Sequence, residues 1–277
     1  MPPFTFADRV ALVTGAAGGI GAALAHDLAS RGARLALLDR DAVGLAATAR
    51  AARLGGSPDV STHLVDLAEG GDLSDVAAAV TAHHGRLDLL VNNAGVALGG
   101  RVDQVSVADV DRLLAVNLHA VVALTIACLP AMPPGSHLVF VSSVFGLAAP
   151  PGQAAYAASK FAVRGFAEAL RHELRPTGTG VTVVHPGGVR TGIARSARMG
   201  AGVPADQAEA GLAELDRLLR MPPHRAARLV LRAVHRRRGR VLLGPEAHAL
   251  DALVRLAPQR YWSVVDRVTG GRFAGDR

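Results

Sequence analysis

A short aliphatic run, Val10 to Thr14, passes at once through Gly15-Ala16-Ala17-Gly18-Gly19-Ile20-Gly21 into a segment, Gly19 to Arg31, with the apolar spacing of a helix. No other feature constrains the chain as much. Glycines there let the backbone turn tightly and approach a ligand closely, while the helix N-terminus offers unpaired N–H groups and the positive end of its dipole. A second apolar run, Arg34 to Leu38, ends at Asp39 and completes a strand–helix–strand unit.

The alternation continues along the chain. Helices are expected near Ala42 to Leu54, Leu73 to His84, Ser106 to Leu129 and Gln153 to Leu174, with strands at Val60 to Val65, Leu87 to Asn92, His137 to Ser142, Val181 to His185 and Val241 to Leu243. The strands are continuously apolar, so both faces of the sheet must be covered. This predicts a single-domain α/β fold, a doubly wound parallel sheet of about seven strands. Leu113 to Ser159 has no Asp, Glu, Lys or Arg, but Asn117, His119, Pro130, Pro133, Pro134 and Gly135 interrupt it, so it is read as buried interior. Val10 to Ala25 is rejected as a signal peptide because Asp8 and Arg9 precede it and glycines break it; a cytoplasmic location is expected. The single cysteine, Cys128, excludes an internal disulfide and a cysteine-based zinc cluster, and no metal site is expected.

Asp39 stands where a carboxylate accepts hydrogen bonds from an adenosine ribose and repels a 2′-phosphate, which favours NAD over NADP. Arg40, able to hold that phosphate, argues the other way and keeps NADP as the alternative. Asp39 could instead cap the following helix, a role open to Asp41. In Tyr156-Ala157-Ala158-Ser159-Lys160 a helix puts the phenol and the ammonium on one face. The chain holds two tyrosines and one lysine, so this pairing is not a by-product of composition. One charge about 4 Å away at an effective dielectric of about 20 contributes about 4 kcal/mol, which predicts a phenol pKa lowered by roughly three units. Ser143 falls at the C-terminal end of a central strand, where its hydroxyl could hold a carbonyl oxygen; Ser142 would face the other way.

With these motifs in this order and spacing, and with Asn92-Asn93-Ala94-Gly95, Asn117 and Pro186-Gly187, the sequence resembles the short-chain dehydrogenase/reductase family over about Asp8 to Thr191. The resemblance implies a hydride-transferring oxidoreductase. Tyr156 would then act as general acid/base, Lys160 would lower its pKa and bind the nicotinamide ribose, Ser143 would orient the carbonyl, and Asn117 would hold a relay water through a helix kink. The cofactor would be bound by Gly15, Ala17, Gly18, Gly19, Ile20, Asp39 and Arg40, with Asp66 and Leu67 flanking adenine. Asn93, Ala94 and Gly95 would pass its ribose, and Pro186, Gly187, Val189 and Thr191 would line the nicotinamide. A homodimer or homotetramer is also implied.

Gly188 stands where many relatives carry a larger residue, which is expected to loosen the wall beside the nicotinamide. Residues 192–222 are expected to form a lid, and Val96, Leu98, Phe145, Leu147 and Met199 to give an apolar pocket for a small hydrophobic secondary alcohol or ketone. An NADP(H)-dependent carbonyl or 3-oxoacyl reductase is the alternative, and a non-catalytic cofactor-binding scaffold the other. Arg217 to Arg240 carries nine arginines and no Asp or Glu. They are read as a solvated helix face and sheet edge, with an acidic substrate or an anionic membrane surface as further readings; no nucleic-acid-binding motif accompanies them. An extension, residues 245–277, is expected to carry a helix near His248 to Leu256 and apolar anchors at Tyr261, Trp262 and Phe273.

Overall fold

The computed structural model describes residues 2–69 and 73–269; Phe273 lies outside them. The strands are β1 (Val10–Thr14), β2 (Arg34–Asp39), β3 (Val60–Leu64), β4 (Leu89–Asn92), β5 (Leu98–Gly99), β6 (His137–Val141), β7 (Gly180–Pro186), β8 (Arg198–Met199) and β9 (Arg240–Leu243). Seven of them form one parallel sheet in the order β3-β2-β1-β4-β6-β7-β9. The order reverses between β1 and β4, so a crevice opens there outside the strands' C-terminal ends.

Successive strand residues point to opposite faces, and each face carries its own core. On one, Ala11, Val13, Leu35, Leu37, Val91 and Val139 pack against α1 (Gly19–Ala29), α2 (Ala42–Leu54) and α9 (Pro223–His235). On the other, Leu12, Leu38, Leu90, Leu138, Phe140 and Val183 meet α3 (Leu73–His84), α5 (Ala120–Cys128) and α6 (Ala154–Glu173). Continuous apolar strands are thus the signature of two cores, and the predicted fold class is observed. Cys128 is buried in the second core, where loss of hydration pushes its thiol up to about 12.

The helix expected near Ser106 to Leu129 is continuous: α4 (Val107–Leu114) continues through a π-helical segment, Ala115–His119, into α5, giving a helical stretch Val107–Ala131. By length and composition it could cross a bilayer. In this fold Leu113, Val116, Ala120, Val121, Leu124 and Cys128 are buried within the protein.

The arginine-rich region forms a helix with one buried and one exposed face, followed by a sheet edge. α9 buries Ala226, Ala227, Val230, Leu231 and Val234 and exposes Arg225, Arg228 and Arg232. Arg237 instead donates to the carbonyl oxygens of Gly135, Ser136, Gly178 and Pro2, tying chain ends together beneath the sheet. The tail packs on the body: α10 (Pro245–Leu256) pairs Asp251 with Arg240, and in α11 (Tyr261–Thr269) the Tyr261 hydroxyl accepts from the Ala149 N–H at 3.2 Å.

Candidate active site

The glycine loop is built as its composition demands. Gly15 and Gly19 have φ of +66° and +56°, a region side chains disfavour. A Cβ on Gly15 would lie 2.9 Å from Asn93 Nδ2, and one on Gly21 would strike the Gly15 carbonyl. No side chain caps α1 at Gly18, so its first-turn N–H groups face the crevice, and around Gly18 there is open space. Thr14 and Asn93 clamp the loop from β1 and β4. The Thr14 hydroxyl accepts from the Asn93 and Ala94 N–H groups, both at 3.0 Å, and Asn93 Nδ2 donates to the Thr14 carbonyl at 2.8 Å. Asn92 turns away and donates to Thr125 at 3.1 Å.

Asp39 ends β2 with Oδ2 accepting from the Ala17 N–H at 2.9 Å and Oδ1 from the Asp41 N–H at 3.0 Å. Asp41, not Asp39, caps α2, accepting from Val43 and Gly44. Arg40 extends to Asp66 at 3.3 Å, and the Ala68 N–H donates to the same carboxylate at 2.9 Å. Leu67 packs beside them against the second core.

At the far side of the crevice α6 carries Tyr156 and Lys160, both buried. Ser159 fixes their turn: its hydroxyl donates to the Tyr156 carbonyl at 2.7 Å and accepts from Asn117 Nδ2 at 3.1 Å. Lys160 Nζ donates to the Val141 carbonyl at 3.2 Å and lies 5.7 Å from the centre of the Tyr156 ring. The electrostatic expectation reverses here. Burial pushes the Tyr156 phenol up to about 12, with the Ser143 hydroxyl pulling the other way, and burial pushes the Lys160 ammonium down to about 8. Loss of hydration drives both shifts, and burial cannot be read from residue spacing.

Ser143, two residues beyond β6, accepts from the Phe145 N–H at 3.1 Å, while Ser142 donates to the Lys160 carbonyl at 2.9 Å. Sequence reasoning missed the group beneath Ser143: buried His185 holds the Ser143 carbonyl through Nδ1 at 3.0 Å. Asn117, fully buried in the π-helical segment, spends its amide on the Val96 peptide, accepting from its N–H at 2.9 Å and donating to its carbonyl at 3.0 Å. Its side chain therefore positions Val96 and Ser159. Beside the phenol the wall is apolar: Val96, Leu98, Phe145 and Leu113 cluster with Tyr156, the Phe145 and Tyr156 rings meeting edge-on at 6.2 Å.

The Pro186-Gly187-Gly188-Val189 turn closes the crevice, and a Cβ on Gly19 would meet Thr191 at 3.0 Å, which brings this turn onto the glycine loop. Gly188 does not loosen the wall. The carboxyl end of α8 (Ala205–Leu218) runs where its side chain would be, against the Leu218 carbonyl, and the Gly188 carbonyl accepts from the Arg220 and Met221 N–H groups at 2.9 and 2.8 Å. From the other side Glu246 Oε1 accepts from the Gly188 N–H at 3.0 Å. Glu246, 58 residues away in sequence, is a further contact that spacing could not reveal.

An uncapped helix N-terminus, a loop in which side chains are excluded, a carboxylate at the end of the second strand and a buried tyrosine–lysine pair fit a nicotinamide dinucleotide. Comparison with known proteins agrees. The family described as short chain dehydrogenase matches residues 9–201. The SadH protein of Mycobacterium tuberculosis, named as an oxidoreductase, is 42% identical over 267 residues, covering 94% of this chain and 95% of the relative. A short-chain dehydrogenase/reductase from Burkholderia phymatum in complex with NAD superposes with a TM-score of 0.85 at 32% identity, covering 92% of this chain and 96% of that one. A short chain dehydrogenase from Burkholderia cenocepacia in complex with NADP gives 0.75 at 30% identity, covering 88% and 100%.

Proposed function

Because this chain belongs to the short-chain dehydrogenase/reductase family, a family of nicotinamide-dependent oxidoreductases, we infer that it interconverts a hydrophobic secondary alcohol and its ketone using NAD(H). The observation that carries this reading is the pair of hydroxyls, Tyr156 and Ser143, set against a wall of Val96, Leu98 and Phe145. A nicotinamide held in the crevice would supply the hydride chemistry at the substrate carbon. Ser143 donates to the substrate oxygen, and the Tyr156 hydroxyl gives that oxygen a proton in reduction and takes it back in oxidation. Lys160 binds the nicotinamide ribose and stabilises the phenolate left after proton transfer. Asn117 acts through the backbone of its π-helical segment, which holds the relay water. Gly15, Ala17, Gly18, Gly19 and Ile20 take the pyrophosphate, Asp66 and Leu67 the adenine, Asn93 to Gly95 the ribose, and Pro186, Gly187, Val189 and Thr191 the carboxamide side. Residues 192–222 cover the substrate. A panel of apolar secondary alcohols, including hydroxysteroids, followed at the reduced-nicotinamide absorbance tests the reading; cofactor binding without any turnover favours the scaffold alternative.

What supports NAD over NADP is Asp39, a carboxylate fixed at the end of β2 that would repel a 2′-phosphate, together with Arg40, engaged with Asp66. Losing hydrogen bonds to a charged acceptor costs about 1.5–3 kcal/mol. Asp39→Ala is therefore expected to reduce the NAD over NADP preference in kcat/KM by roughly 10- to 100-fold. A wild-type protein that turns over only with NADPH overturns the assignment.

The protein is further inferred to be a homodimer or homotetramer. Ile126 on α5 and Phe161 on α6 leave apolar surface in water, at 62% and 40% exposure. Sedimentation velocity should give an oligomer for the wild type and a smaller species for Ile126→Glu; a monomeric wild type refutes the reading.

A further inference from the structure

At the end of the sheet remote from the crevice, the loop before edge strand β3 meets the last turn of α3. Asp59, His83 and His84 each direct one ligand-type atom into a common space, all three atoms lying within 4.8 Å of one another. His83 Nε2 is 3.1 Å from the Asp59 oxygens, and His84 Nδ1 is 3.2 Å from Asp59 Oδ2. A tetrahedral ion with metal–nitrogen and metal–oxygen bonds of about 2.0 Å has ligand–ligand edges of about 3.3 Å. The cluster already has the spacing of such an edge.

A second observation concerns His84 alone. Its side chain is fully buried, and Nδ1 has no hydrogen-bond partner. Nε2 lies 2.9 Å from the Ser61 hydroxyl, which also touches His63 Nε2 at 3.0 Å. In the tautomer that donates from Nε2 to Ser61, the Nδ1 lone pair faces a carboxylate oxygen, an arrangement that a cation between them would relieve. A ligating histidine whose other nitrogen is held by an oxygen is the usual outer-shell arrangement of a metal site. Arg34, 3.2 Å from Asp59 Oδ2, fixes the carboxylate's orientation, with both oxygens 3.1 Å from His83 Nε2.

We propose that His83 Nε2, His84 Nδ1 and an Asp59 oxygen bind one divalent ion of the zinc class, clipping the end of α3 to the edge of the sheet. Two imidazoles and one carboxylate suit zinc, cobalt(II) or nickel(II), whereas calcium and magnesium take oxygen ligands. The site lies away from Tyr156 and Ser143, so its occupancy stabilises the fold without entering the chemistry.

The test uses tag-free full-length protein titrated with zinc chloride by calorimetry and with cobalt(II) chloride by visible absorption. One equivalent should bind, with the d–d bands of tetrahedral cobalt and a rise in melting temperature. His83→Ala, an exposed position that leaves the core untouched, and Asp59→Asn should each weaken binding at least about 10-fold, as loss of a metal contact does. His172→Ala, on the distant end of α6, should change nothing. Equal uptake by wild type and His83→Ala, or no saturable binding below about 1 mM, overturns the proposal.

Discussion

Tyr156→Phe is expected to lower turnover by about 10²- to 10⁴-fold, the usual worth of a positioned general acid or base, while NAD still binds. The variant removes only the hydroxyl, so the edge-on contact with Phe145 and the buried ring remain. The pH dependence carries more information than the loss itself. With the phenol pushed up to about 12, Tyr156 is protonated across the neutral range and ready to give its proton to a ketone. Reduction should therefore be flat around neutrality, whereas alcohol oxidation, which needs a proton acceptor, should rise with pH. The Tyr156→Phe protein should show neither profile. Retention of wild-type turnover by that variant would remove Tyr156 from the chemistry, and equal pH profiles for the two directions would remove the burial argument.

A sharp loss of stability on mild acidification is the second large effect. His137 and His185 are fully buried, and burial pushes them down to about 3 and about 4. Thr182 donates to the Arg238 carbonyl and so accepts from His137 Nε2, leaving Nδ1 without a partner; His185 donates from Nδ1 to Ser143, leaving Nε2 without one. A second proton on either ring would place a charge and an unpaired N–H in the core. In the unfolded chain both titrate near about 6.5. Between that value and the folded pKa the unfolded state binds more protons, so stability rises with pH. It is fully present above about pH 6.5 and falls toward pH 4, by about 1.4 kcal/mol per unit for each histidine. Two such groups rival a domain's whole stability of about 5–15 kcal/mol within two to three units. Urea unfolding at pH 7.5 and 5.5 measures the slope; His185→Gln should roughly halve it, and a flat profile in the wild type would refute the account.

The fold was readable because parallel strands buried on both faces leave continuous apolar runs, as in Leu35 to Leu38 and His137 to Val141. The chemistry-bearing positions were readable because glycine loop, Asp39, Ser143, Tyr156 and Lys160 sit at strand ends and helix starts that the alternation locates. What stayed hidden depends on contacts between distant residues or on burial. Asn117 was legible as a polar group in an apolar helix, but not its partner, the Val96 peptide. The direction of the Tyr156 and Lys160 shifts needed the solvent exclusion that only packing supplies. Gly188 as a place for the end of α8, and Glu246 as its second neighbour, arise from chain segments that meet only in three dimensions.

The closure at Gly188 also sets an order of events during synthesis. Domains begin to organise as the chain emerges, at about 5–20 residues per second. The hydrogen bonds that hold the glycine loop, from Ala17 to Asp39 and between Asn93 and Thr14, join residues made before residue 95, although α9, which packs on α1, follows later. The wall at Gly188 comes later: its neighbours Leu218, Met221 and Glu246 are translated afterwards, and β9 joins the sheet edge only with them. The residues that hydrogen-bond the glycine loop thus emerge well before those that back Gly188, and a chain halted before residue 246 lacks the carboxylate that holds the Gly188 N–H.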